Sequence, residues 1–148
     1  MVKILWVDDE IELLKPHILT LQNRGCQVDT CNNGYDAIDM VTEQPYDMII
    51  LDPPAFAKHH KVLGNAMQGY KRLNARALSQ IKSGGILFTF SCSQAVSKEL
   101  FRTTVFTAAA IAGRKVRILH QLTQPTDHPI NIYHPEGEYL KGLVLYVE

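Results

Sequence analysis

A chain of 148 residues with 46% hydrophobic and 20% charged content has the length for one globular domain, residues 1–148, with a single substantial core. Fifteen basic and fifteen acidic residues cancel, which leaves no net field to draw nucleic acid or an anionic membrane to the isolated chain. No apolar run is long enough to span a bilayer and no signal peptide opens the chain, so no membrane partner is expected; three cysteines (Cys26, Cys31, Cys92) leave an odd thiol that suits a reducing, cytoplasmic setting.

Residues 2–7 form a short apolar run that ends in Asp8-Asp9-Glu10 and reads as a first buried strand. Ile11, Leu14, Ile18 and Leu21 then follow helical spacing with Gly25 as terminator, and Pro16 must sit in the first turn of that helix or kink it. Residues 26–31 alternate as a second strand. With no matching pair of ligands elsewhere, Cys26 and Cys31 read as half-buried structural thiols rather than zinc ligands. Asn32-Asn33-Gly34 makes a turn, residues 35–43 a helix with Ala37, Ile38 and Val41 facing inward, and Pro45 a break.

The stretch Asp47-Met-Ile-Ile-Leu-Asp-Pro-Pro-Ala-Phe56 organises the rest. Met48 to Leu51 is continuously apolar, as in a strand buried on both faces, and it ends in Asp52 at the carboxyl edge of a parallel sheet, where ligands of open α/β sheets bind. Pro53-Pro54 stops the strand. A basic loop, Lys58-His59-His60-Lys61, precedes a helix over about 65–82, which Ser83-Gly84-Gly85 ends. Residues 86–90 are a strand with Ser91-Cys92-Ser93 at its carboxyl edge. Ser97, with Glu99 in the first turn, opens a helix that stops at Gly113. Strands follow over 115–122 and 139–147, joined by a loop. His59, His60, His120, His128 and His134 have no spacing that argues for a metal.

Strands alternating with helices give a parallel sheet through the first four strands. No helix joins the last two, so the final strand runs antiparallel to its predecessor.

Asp8, Asp9 and Asp52 would converge at one edge if their strands are neighbours. Crowded carboxylates call for a hard cation such as Mg²⁺, while each alone could simply end a strand at a solvated edge. Ile4-Leu5-Trp6-Val7-Asp8-Asp9-Glu10, Asn33-Gly34-Tyr35-Asp36-Ala37 and Tyr46 to Asp52 resemble the receiver domain of response regulators, a flavodoxin-like fold. That resemblance covers residues 1–52. It implies Asp8 and Asp9 (with Asp52) as Mg²⁺ ligands, Asp52 as phospho-acceptor, and a histidine kinase or small phosphodonor as partner. Ser91 could supply the hydroxyl of such a site. No Lys-Pro follows the fifth strand, and only Lys141, at the start of the last strand, begins at the right edge.

From Asp52 onward the chain resembles class I S-adenosylmethionine-dependent methyltransferases, in particular the ribosomal RNA cytosine-C5 family. The motifs are Asp52-Pro53-Pro54-Ala55-Phe56-Ala57-Lys58, Gly69-Tyr70-Lys71, Asn74-Ala75-Arg76-Ala77, Gly84-Gly85-Ile86-Leu87, Ser91-Cys92-Ser93, Asp127-His128-Pro129 and Glu138-Tyr139-Leu140-Lys141. By that resemblance Asp52, Pro53 and Pro54 frame the base pocket and Cys92 attacks the pyrimidine ring. The residues alone leave Cys92 open between nucleophile and small strand-end residue. The glycine-rich cofactor loop is missing after the first strand, and the second ends in Thr30-Cys31-Asn32 without a ribose-binding carboxylate. On that ground S-adenosylmethionine is not expected to bind.

Together the resemblances imply a three-layer α/β/α sandwich, its six-stranded, mostly parallel sheet in the order 2-1-3-4-6-5 with strand six antiparallel. They further imply an engineered chimera with a seam at Asp52, a receiver-like fragment joined to a methyltransferase-like fragment over 53–148. Such a hybrid would have no complete activity and could form oligomers through the seam. The alternatives are a residual receiver working through Asp52 and a methyltransferase remnant working through Cys92.

Overall fold

The structure, a computed structural model, describes residues 1–54 and 63–148. Its strands are β1 (Lys3–Asp8), β2 (Gln27–Cys31), β3 (Met48–Asp52), β4 (Gly85–Ser91), β5 (Val116–Leu122) and β6 (Lys141–Val147). Its helices are α1 (Lys15–Asn23), α2 (Gly34–Glu43), α3 (Leu63–Gln80) and α4 (Lys98–Ala112). Local chemistry sets the boundaries. Pro16 falls in the first turn of α1, where its missing N–H costs nothing, after a 3-10 turn over Ile11–Leu14. Asn33 caps α2 by accepting from the Asp36 N–H, and Ser97 caps α4 by accepting from the Leu100 N–H. Gly113 closes α4 in the left-handed conformation at φ 68°.

The six strands form one sheet in the order β2-β1-β3-β4-β6-β5, as the sequence implies. β1, β2, β3 and β4 are parallel, whereas β6 is antiparallel to both β4 and β5. The two faces of the sheet differ. Leu5, Val7, Ile49, Leu51, Leu87, Leu143, Leu145 and Val147 point to the face covered by α2, α3 and α4, and they belong to one continuous core cluster. Tyr70 of α3 and Phe101 of α4 meet edge to face within it, ring centroids 6.0 Å apart at 86°. On the opposite face Trp6, Met48, Ile50, Ile86, Phe88, Phe90 and Tyr146 are only half-buried.

That second face belongs to α1, because right-handed crossovers put the β1–β2 connection on the side away from the others. Here the structure departs from the sequence pattern: α1 contains no buried residue, and Leu19 is 56% exposed. Helical spacing of apolar residues was present, but one short helix cannot cover the sheet, so its stripe is left half in water. At the far edge, β5 is exposed along most of its length and carries a register irregularity between Ile118 and His120. Irregularities of that kind discourage edge-to-edge pairing. Chain order across Asp52 is continuous in packing, since β3 pairs with β1 on one side and β4 on the other.

Candidate active site

Parallel strands deliver their last residues to one edge, and an antiparallel strand delivers its first. Asp8, Asp52 and Ser91 therefore meet Lys141 at the carboxyl edge of the sheet. Strand alternation then sorts them by face. Asp8 and Asp52 are register partners on the α1 side and share a hydrogen bond. Two adjacent, partly desolvated carboxyls cannot both ionise cheaply. Burial, followed by the charge of Asp8, raises Asp52 to about 7. Asp8 is raised as well, chiefly by burial, although it accepts from the Glu10 N–H at 2.8 Å.

Ser91 sits on the other side. It is fully buried, donates to the Tyr70 hydroxyl at 3.0 Å and accepts from the Ser93 N–H at 3.3 Å. Below it Thr89 donates to the Asn74 side-chain carbonyl at 2.6 Å, and Asn74 donates to the Tyr70 carbonyl at 2.8 Å. These polar groups are buried yet satisfied, and they stiffen the floor of the edge. Cys92 follows Ser91 and is half-buried as a free thiol. Burial, then the charges of Asp52 and Asp9, push that thiol up, and Lys141 pulls it down. Lys141 itself is 6% exposed and donates to the carbonyls of Ser93 and Val96, both at 2.6 Å.

Pro53 is buried and Pro54 exposed, while Ala55 to Lys58 and the basic pair His59-His60 lie outside the described residues. Asp9 is exposed beside Asp8. Among the described residues no group of His, Cys, Asp or Glu is arranged to hold a metal ion. His134 instead pairs with Glu136 at 2.9 Å on the exposed β5–β6 loop. Beside the ends of β1 and β2 lies a cleft of about 440 Å³, lined among others by Ile11, Thr30, Asn32, Asp36 and Met40. Cys31, also on its wall, is pushed up to about 11, chiefly by burial.

Sequence reasoning named Asp8, Asp9, Asp52, Pro53, Pro54, Ser91 and Cys92, and the structure gathers Asp8, Asp9, Asp52 and Cys92 into one electrostatic neighbourhood. Tyr70 and Asn74 went unnoticed as a polar floor. A readable signal existed: Asn74 interrupts the apolar stripe Tyr70, Leu73, Ala77, Leu78 and Ile81. Lys141 was weighed only as a phosphate ligand; a lysine opening the apolar run 142–147 was visible in the sequence, but its pairing with Ser91 was not.

No protein-family model matches the chain. Among curated proteins, it is 48% identical over 102 residues to the ribosomal RNA large subunit methyltransferase I of Alteromonas mediterranea. It is 49% identical over 102 residues to the protein of the same name in Tolumonas auensis. Each match takes in 69% of this chain and 26% of the relative, so the chain spans about a quarter of the length of the curated relatives it matches. A solved structure assigned as a SAM-dependent methyltransferase from Streptococcus mutans superposes on 98% of this chain and 44% of its own, with a TM-score of 0.69 and 15% identity. A further methyltransferase structure, complexed with SAH, covers 98% of this chain and 45% of its own, with a TM-score of 0.69 and 16% identity.

These findings overturn the chimera reading and its receiver half. The relatives are methyltransferases, and the solved methyltransferases superpose on nearly the whole chain, the part before Asp52 included. Neighbouring parallel strands that end in carboxylates suit either fold, so Asp8, Asp9 and Asp52 did not discriminate between them. Phosphorelay falls with the receiver. The expectation against S-adenosylmethionine is corrected too, since methyltransferase relatives and a neighbour complexed with SAH stand against it. The chain is thus similar over two thirds of its length to the ribosomal RNA large subunit methyltransferase I proteins, and its whole sheet has the methyltransferase fold.

Proposed function

We propose that the chain is the methyl-transferring portion of an S-adenosylmethionine-dependent ribosomal RNA methyltransferase, with a pyrimidine as target and Cys92 as nucleophile. The observation that carries this reading is the near-half identity to the methyltransferase I proteins over 102 residues, a match long enough to take in the motif-bearing part of the chain. A cytoplasmic setting goes with such a substrate. No helix among the described residues is long and apolar enough to cross a membrane. RNA then replaces the expectation of no nucleic-acid partner for the isolated chain.

The residues fit the cofactor by charge and by shape. S-adenosylmethionine is a sulfonium and an ammonium as well as a carboxylate, so it needs negative side chains rather than a phosphate-binding glycine loop. Asp8 and Asp9 supply them at the end of β1. The neighbouring cleft, about 440 Å³, offers Ile11 and Met40 to a purine and Asn32 and Asp36 to ribose hydroxyls. One departure stands: no glycine follows β1 before Gly25. When bound, the cofactor supplies an electrophilic methyl group.

The chain's own residues do the rest. The Cys92 thiolate adds to C6 of the pyrimidine, forming an S–C bond and pushing the ring's electron pair toward N3. Asp52, raised to about 7, keeps a proton near neutrality that it can give to that nitrogen as the pair arrives. C5 is thereby made nucleophilic. After C5 has been alkylated, N3 returns its proton to Asp52, the C5 proton passes to water, the S–C6 bond breaks, and Cys92 departs as thiolate. Pro53, rigid and buried, holds Asp52 at the head of the pocket.

The test is methyl incorporation from radiolabelled S-adenosylmethionine into ribosomal RNA. Wild type is expected to label the RNA, and Cys92→Ala to abolish labelling while its thermal midpoint still rises on adding S-adenosylmethionine. A wild-type chain that neither labels RNA nor gains stability from the cofactor would overturn the reading.

A further inference from the structure

We propose that Lys141 is a positioning residue of this site, its ammonium pinning the loop after β4 and setting a positive charge beside Cys92. The proposal rests on Cys92 being the working thiol. It adds a residue whose part in the site follows from geometry.

Three bonds bracket the cysteine. On its N-terminal side, Ser91 is the register partner of Lys141 in the β4–β6 ladder, and its hydroxyl is tied to Tyr70. On its C-terminal side, the carbonyls of Ser93 and Val96 both accept from the Lys141 ammonium at 2.6 Å. The Ser93 carbonyl also accepts from the Val96 N–H at 3.1 Å, which closes the loop into a turn around the ammonium. A loop of this kind normally turns its carbonyls to water. Here they turn inward onto a side chain that is 6% exposed.

Burying an ammonium against neutral carbonyls alone is an expensive way to brace a loop. A neutral donor would serve the carbonyls as well, so the charge calls for a reason, and Cys92 supplies one. Lys141 acts on Cys92 in the direction that favours thiolate, against burial and the charges of Asp52 and Asp9. In return burial lowers Lys141 to about 8, and the facing Cys92 and Glu138 resist that fall. The remaining charged groups there are Lys98, paired with Glu138 at 2.7 Å, and Glu99 at the start of α4. Among the described residues the Lys141 ammonium uses two of its protons on the Ser93 and Val96 carbonyls.

The experiment is pH-dependent alkylation of Cys92 by iodoacetamide in the full chain, resolved from Cys26 and Cys31 by peptide mass. In Lys141→Met the midpoint for Cys92 is expected to rise by about one pH unit, a roughly tenfold loss of reactivity below it. Cys26 should keep its wild-type profile. Lys141→Gln keeps donors for the carbonyls without the charge, so its midpoint should rise too while its thermal midpoint stays closer to wild type. Lys141→Arg keeps a charge and donors at the same place and gives a reading even if the other two variants fail to fold, since its Cys92 midpoint should stay close to wild type. A rise of about one pH unit in the Cys92 midpoint of that variant would overturn the proposal. An unchanged Cys92 midpoint in folded Lys141→Met or Lys141→Gln would do the same and reduce Lys141 to a structural brace. Neither result depends on methyl transfer, so failure here is separable from failure of the proposed function.

Discussion

The Asp8–Asp52 pair makes a prediction opposite to the usual behaviour of carboxylates. In the folded chain Asp52 holds its proton up to about 7, against 3.8 for an ordinary aspartate. Between those values the folded state binds more protons than the unfolded state, so stability falls as pH rises and the loss is complete above the folded value. A shift of this size corresponds to at most about 4 kcal/mol, and the edge is partly open to water, so we expect about 2 kcal/mol. Urea denaturation should show wild type losing that amount between about pH 5 and pH 8. Asp52→Asn keeps the shape and a donor for Asp8 but cannot ionise. Its stability should be nearly flat over the same range, and at about pH 8 it should exceed wild type by about 2 kcal/mol. Asp47, whose pKa is lowered, mainly through its bond from the Lys3 N–H, works in the opposite sense at acidic pH, below this window. Wild-type stability that is flat or rises from pH 5 to 8, or an Asn variant that tracks wild type, would refute the argument.

Other perturbations probe the scaffold. A Cβ at Gly142 would lie 2.5 Å from the Phe90 ring, and one at Gly85 would lie 2.8 Å from the Lys82 carbonyl. Gly142→Ala should cost about 2 kcal/mol in thermal melts, since a ring can shift, and Gly85→Ala at least as much, since backbone cannot. Arg114 donates to the carbonyls of Leu78 and Ile81 at the end of α3 and to that of Glu148. Arg114→Met should cost about 1–3 kcal/mol in denaturant titrations, with little dependence on salt. Phe101→Ala removes the partner of Tyr70 in the core, and a loss of about 3–5 kcal/mol is expected.

Much of the architecture was legible because the signals were local and strong. Continuous apolar runs marked β3 and β4, Ser97 and Gly113 bounded α4, and the missing helix between β5 and β6 fixed the antiparallel strand. α1 was read with its end before Gly25 but without a fixed start, and its exposure went unread, since periodicity tells which residues share a face but not whether anything covers it. The carboxylates were placed correctly at one edge, yet their meaning was misread. A strand ending in Asp looks the same whether the acid serves a phosphoryl group, a cation or a base. Absence of glycine after β1 was given more weight than near-half identity to methyltransferases over 102 residues allows. Lys141 escaped because its role depends on register: only pairing with Ser91 brings it beneath the loop that follows β4.

The reversal of β6 also governs when the site can exist. β5 precedes β6 in the chain but pairs only with it, and β6 inserts between β4 and β5 with pairs as distant in sequence as Gly85 and Val147. Closing such loops is slow, and β5 has no ladder to join until it happens. The parallel strands can set Asp8 beside Asp52 early. The loop carrying Cys92 is not held by Lys141 until the last strand has threaded into place.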